Sequence, residues 1–144
     1  MQKQEVLKIH PVTLAFVGDA VYSLYVREKL VKAGEDKPGV YQKAASAAVS
    51  ARGQNELLKK IEPLFTEEEA EIFRRARNSR KNSKAKNATA AEYNRSTGVE
   101  AVVGYLYLTE NFPRIEEILS FADISPEKNA RRNCKNQGVQ AVTQ

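Results

Sequence analysis

Between Leu14 and Val26 the chain reads LAFVGDAVYSLYV, an apolar run in which only Asp19 and Ser23 are distinctly polar. At helical spacing no broad wet face is left, which predicts a helix buried on more than one side. On a wheel of about 100° per residue, Val17, Val21, Leu24 and Tyr25 form one stripe, and Asp19 falls roughly opposite with Ser23 beside it. An ionised carboxylate there needs a cation, an arginine or backbone N–H donors, because an unpaired buried one would protonate. Two placements of Asp19 are open. Gly18-Asp19 can be a turn in which Asp19 caps a helix starting at Ala20. Alternatively, Pro11 and Thr13 signal a start near Val12, and Asp19 is an interior residue of a type that helices disfavour without a reason.

A chain of 144 residues has room for one compact domain, expected over 1–122, and a polar, basic tail over 123–144. With 42% hydrophobic and 28% charged residues it can form a real core. The apolar runs are too short to span a bilayer and the N-terminus lacks the apolar centre of a signal peptide, so a cytoplasmic protein with no membrane partner is expected. One cysteine, Cys134, excludes an intramolecular disulfide, and one histidine, His10, excludes the common Cys/His zinc sites. His10, just before Pro11, is expected at the surface or capping the first long helix. Any metal must then be held by oxygen, which points to Mg2+, or to Mn2+ in its place.

Further along, KAGEDKPG (Lys32 to Gly39) is a turn-rich connection. Val40 to Ile61 carries apolar residues at helical spacing and reads as one long helix or as two divided near Gly53. Thr66-Glu67-Glu68-Glu69 is a capping box that opens a helix from about Glu67 to Asn78. Pro113 to Phe121 is a last amphipathic helix. The pattern throughout is all-α.

The formal charge of +5 modestly favours an acidic partner, and its distribution says more than its size. From Arg74 to Lys86 the sequence is RRARNSRKNSKAK, with no acid in it. Bases at the end of the preceding helix suit its dipole, but Arg80, Lys81, Lys84 and Lys86 lie beyond it. A basic loop spaced by Ser, Asn and Ala suits phosphate contacts, and Arg74, Arg77, Asn78, Arg80, Lys81, Lys84 and Lys86 are the candidates. No aromatic residue interleaves them, so backbone and shape reading of a duplex fits better than stacking on single strands.

A second apolar helix is expected over STGVEAVVGYLYLT, Ser96 to Thr109, again with one acid, Glu100. Spacing alone favours a capping box between Thr97 and Glu100. Gly18 and Gly104 lie within a turn of Asp19 and Glu100, however, and glycine weakens a helix unless close backbone approach requires it. Two core helices crossing at these glycines would bring the carboxylates together.

Taken jointly, LAFVGDAVYSLYV, FTEEEAEIFRRARNSRKN and YNRSTGVEAVVGYLYL resemble, in order and spacing, the signature segments of the ribonuclease III family. The likeness covers Leu14 to about Phe121 and is closest to the short bacterial branch that consists of the catalytic domain alone. The resemblance implies a helical dimer, a ribonuclease III-type endonuclease domain that hydrolyses double-stranded RNA with Mg2+ and needs no small-molecule cofactor. For the short branch it implies a stem of the large-subunit (23S) rRNA precursor as substrate. It also implies that Asp19 and Glu100 are the catalytic and metal-binding residues, against the capping reading of Glu100. Longer members of the family carry three further acids, at the positions held here by Val12, Ala15 and Thr97. Two carboxylates leave an octahedral ion mostly to water and substrate oxygens, which suits magnesium. The alternative is a non-catalytic member of the same fold, an RNA-binding or ribosome-associated structural protein. A basic helical adaptor for an acidic protein is a third reading.

Overall fold

The computed structural model describes residues 1–34, 37–79 and 90–124. Every regular element among them is helical: α1 (Lys3–Val6), α2 (Pro11–Ala33), α3 (Pro38–Val49), α4 (Ala51–Ile61), a 3-10 turn (Glu62–Leu64), α5 (Glu67–Asn78), α6 (Ala90–Leu108) and α7 (Phe112–Leu119). None is long and apolar enough to cross a membrane. The all-α expectation holds.

Helix α2 starts where Pro11 presets the first turn, and His10 Nδ1 accepts from the Val12 N–H at 3.2 Å. It runs unbroken to Ala33, so Asp19 is an interior residue and not a cap. Its buried face is Leu14, Ala15, Gly18, Val21, Tyr22, Val26 and Leu30. The stripe expected from the helical wheel, Val17, Val21, Leu24 and Tyr25, is therefore turned. Leu24 is 62% and Phe16 80% exposed, because the neighbouring helix approaches over Gly18, where no side chain stands in the way.

The all-round burial expected of α2 belongs instead to α6. From Ser96 to Leu106 every residue is buried except Glu100, which is half-buried. Helices α2, α4, α5 and α7 all pack on it, α2 most extensively. It begins at Ala90, six residues before the expected start. Thr97 is thus well inside the helix, and its hydroxyl donates back to the Tyr93 carbonyl at 3.1 Å, so the Thr97–Glu100 capping box does not form.

The Val40–Ile61 segment is two helices, divided at Ser50 rather than Gly53. Ser50 has extended geometry and its Oγ accepts from the Gly53 N–H at 3.1 Å, capping α4. Gly53 is needed because a Cβ there would fall 2.4 Å from the Ala47 carbonyl oxygen, so α3 and α4 can fold sharply upon each other. The Thr66–Glu69 capping box forms as expected, with α5 over Glu67–Asn78.

Candidate active site

Helices α2 and α6 touch backbone to backbone. A Cβ on Gly18 would lie 1.6 Å from the Glu100 carbonyl oxygen, and one on Gly104 would lie 2.0 Å from that of Leu14. The two glycines are each other's neighbours, since the Gly18 position also abuts the Gly104 nitrogen at 2.9 Å. Asp19 follows Gly18 and is exposed, and Glu100 is one turn before Gly104. The crossing therefore brings the two acids to one place from segments some eighty residues apart in sequence.

A third element reaches the same place. Gln54, on the first turn of α4, is 1% exposed, and its amide nitrogen donates to Glu100 Oε1 at 2.9 Å and to the Val49 carbonyl at 3.1 Å. Its neighbour Asn55 ties α4 to α6 from the other side: Nδ2 donates to the Ala51 and Glu92 carbonyls at 2.7 and 2.8 Å, and Oδ1 accepts from Arg95 Nε at 2.6 Å. Below them Tyr22 is 1% exposed and donates its hydroxyl to the Ala48 carbonyl at 3.1 Å. Burial pushes the Tyr22 hydroxyl above the usual phenol range, and the charge of Glu100 pushes it further, so it stays a neutral donor.

Sequence reading missed Gln54 and Asn55. A signal was present, because Gln54 stands three to four residues before Leu57 and Leu58, the inward positions of α4, and a polar residue there requires a buried partner.

Among the described residues no three or more His, Cys, Asp and Glu side chains gather. Asp19 and Glu100 both stand on the turns that meet at the crossing, hard oxygen donors with a neutral amide beside Glu100. That set fits a magnesium or manganese ion whose remaining positions go to water and phosphate oxygens, and it does not suit zinc.

The basic candidates divide. Arg74 is exposed and held by Glu71 through two hydrogen bonds, at 3.1 and 2.7 Å. The Arg77 guanidinium lies over the Phe73 ring, 5.6 Å from its centroid, and Nε donates to Asn78 Oδ1 at 3.3 Å. Phe73 in turn fills the space beside Gly98, where a Cβ would meet its ring at 2.5 Å, so the end of α5 flanks α6 two residues from Glu100. Arg80, Lys81, Lys84 and Lys86 lie outside the described residues.

The family model of the ribonuclease III domain matches residues 12–111, a span that holds α2 from its second residue, α3 through α6 and both acids. The chain belongs to the ribonuclease III family. Endonucleolytic cleavage of RNA is the chemistry of that family. Among curated relatives, a Mini-ribonuclease 3 of Streptococcus pneumoniae is 45% identical over 115 residues, 78% of this chain and 90% of the relative. One from Clostridium tetani is 34% identical over 137 residues, 94% and 91% of the two chains. A crystal structure of a Fusobacterium nucleatum protein superposes with a TM-score of 0.69 at 34% identity, covering 78% of this chain and 91% of that one. The ribonuclease III fold is thus shared, and the match spans nearly the whole of these relatives.

Proposed function

We propose that this ribonuclease III domain is a Mg2+-dependent, double-strand-specific endoribonuclease in which Asp19 and Glu100 hold the ion. The Gly18–Gly104 crossing carries the reading, because it joins the two acids through a contact of rigid backbones. A bound ion there supplies an activated water and shields charge at the scissile phosphate. The backbone contact at Gly18 and Gly104 limits how far α2 and α6 can shift against each other, which holds the turns that carry Asp19 and Glu100 together. Glu100 is further oriented by Gln54.

The substrate proposed is a stem of the 23S rRNA precursor, as the resemblance to the short branch of the family implies, and the proposed site of action is the cytoplasm. The segment from Arg74 through Arg77, Asn78, Arg80, Lys81 and Lys84 to Lys86 grips the duplex through its phosphates. Residues 1–122 form the catalytic unit and 123–144 a basic tail. The working form is a homodimer. Phe16, Ala20, Leu24 and Val31 are exposed on one side of α2 beside Asp19, with the exposed Arg27 among them, and a twin α2 is the occupant proposed for that mainly apolar face.

The test compares wild type, Asp19→Asn and Glu100→Gln on a long RNA duplex and on a precursor stem, with Mg2+ or with chelator. Expected are metal-dependent cleavage by wild type and retained duplex binding without cleavage by both variants. Tight binding without cleavage by all three proteins would make the chain a non-catalytic RNA-binding member of the family.

A further inference from the structure

Gln54 is not explained by packing alone. Its carboxamide is 1% exposed, and both donor contacts are spent on acceptors, Glu100 Oε1 at 2.9 Å and the Val49 carbonyl at 3.1 Å. Its own Oε1 is buried and has no hydrogen-bond partner among the described residues. Turning the amide over would set that oxygen against two other acceptors, so the observed orientation is the only one the surroundings permit. A buried carbonyl left without a donor is destabilising, because it gives up its hydrogen bonds to water and gains none in return. A leucine or methionine of similar volume would fill the same space without that cost.

We propose that Gln54 is a positioning residue for the reaction: it fixes the Glu100 carboxylate in the rotamer that receives a divalent cation, and the cost of its orphan oxygen is accepted for that. The inference rests on the metal reading of Asp19 and Glu100 given above. The choice of an amide has a reason. Lysine or arginine at this place would also orient the carboxylate, but would neutralise the charge needed to attract a cation, whereas a neutral donor orients and leaves the charge intact.

The amide is itself held at both ends. Ser50 caps α4 and Gly53 lets α3 pack against it, which sets the Val49 carbonyl under the Gln54 nitrogen. Asn55 fastens the same turn of α4 to Glu92 and Arg95 of α6. The Gln54–Glu100 contact is therefore part of a clasp between α4 and α6 whose parts have few alternative positions.

The experiment is a MgCl2 titration of the 15N-labelled wild-type protein, followed at the Gln54 side-chain NH2 pair and at the Asp19 and Glu100 backbone amides. Expected are three sets of shifts following one binding curve, with the Gln54 pair slow to exchange with solvent. Movement of Asp19 and Glu100 with a stationary Gln54 pair would overturn the positioning role alone. Three stationary sets would overturn the metal reading and this inference with it.

Gln54→Met supplies the second arm. It should melt no lower than wild type and keep its duplex affinity while raising the Mg2+ midpoint, read from the Asp19 amide, at least ~10-fold. An unchanged midpoint would mean that Gln54 only packs. Should that variant fail to fold, the wild-type titration decides by itself.

Discussion

Gly18 of α2 and Gly104 of α6 face each other so closely that a Cβ on either would enter the other helix's backbone, 1.6 Å from the Glu100 oxygen in one case and 2.0 Å from the Leu14 oxygen in the other. Backbone cannot step aside as a side chain can. Gly18→Ala and Gly104→Ala should each destabilise the fold by about 3 kcal/mol or more, at the upper end of overpacking effects, and abolish cleavage by parting the two acids. Gly39→Ala is the control. Gly39 lies within α3 with nothing near its absent Cβ, so that change should stabilise by roughly 0.4–1 kcal/mol. Urea denaturation of the three variants checks the ranking, and equal costs would show that the helices do not touch at the glycines.

Glu69 and Arg114 form the one ion pair with a carboxylate as buried as 3% among the described residues. Burial pushes the Glu69 carboxyl up. The hydrogen bonds from Arg114, at 2.8 and 3.0 Å, and from the Thr66 N–H, at 2.9 Å, outweigh that and hold it below the ordinary glutamate range. A carboxyl with a depressed folded pKa stabilises above its unfolded pKa, and the contribution disappears as pH falls through the folded value. Wild type should therefore lose stability on acidification below about pH 5, the upper edge of the ordinary glutamate titration. Arg114→Met should cost about 3–5 kcal/mol at neutral pH, because it strands a buried charge. It should also flatten the acid limb, since Glu69 then has little reason to remain ionised. Denaturation midpoints at several pH values test both, and parallel curves for the two proteins would remove Glu69 as the source of the acid sensitivity.

Phe16 is 80% exposed and Leu24 62%, on a helix whose opposite side is fully packed. If this stripe joins two copies, Phe16→Asp should give a monomer by light scattering at concentrations where wild type is dimeric. The melting temperature of that monomer should become independent of protein concentration, while that of wild type rises with it. A wild-type protein that is monomeric throughout would remove the dimer from the mechanism.

The overall architecture was readable because α5 and α4 are amphipathic with a clear period, and because Pro11, Ser50 and Thr66 mark starts. The crossing was readable from two glycines, each within a turn of an acid. The buried face of α2 was not, for a physical reason. The wheel positions of the apolar residues pointed to Leu24, while packing followed the smallest residue, Gly18, where the partner backbone could come closest. The capping reading of Thr97 and Glu100 failed because three-residue spacing is the same in a cap and inside a helix, and only the upstream start of α6 at Ala90 tells them apart. Gln54 was hidden by its distance in sequence from the acid it serves, 46 residues.

The basic segment after α5 supplies the last prediction. Arg74 is already paired with Glu71 and Arg77 rests on Phe73, so these two have local structural partners beside any phosphate they meet. If Arg80, Lys81 and Lys84 each neutralise a phosphate, replacing all three by Gln should lower the slope of log affinity against log salt by about 2–3, at roughly 0.9 for every phosphate no longer neutralised. Arg74→Gln should change that slope less, because its charge is already partly balanced by Glu71. Neither change should move the cleavage position, since phosphate contacts carry no sequence information. Filter binding of an RNA duplex between low and moderate salt measures the slopes. A triple variant with the wild-type slope would place the duplex elsewhere on the protein, whereas an equal fall in slope from Arg74→Gln alone would shift the phosphate grip onto α5 itself.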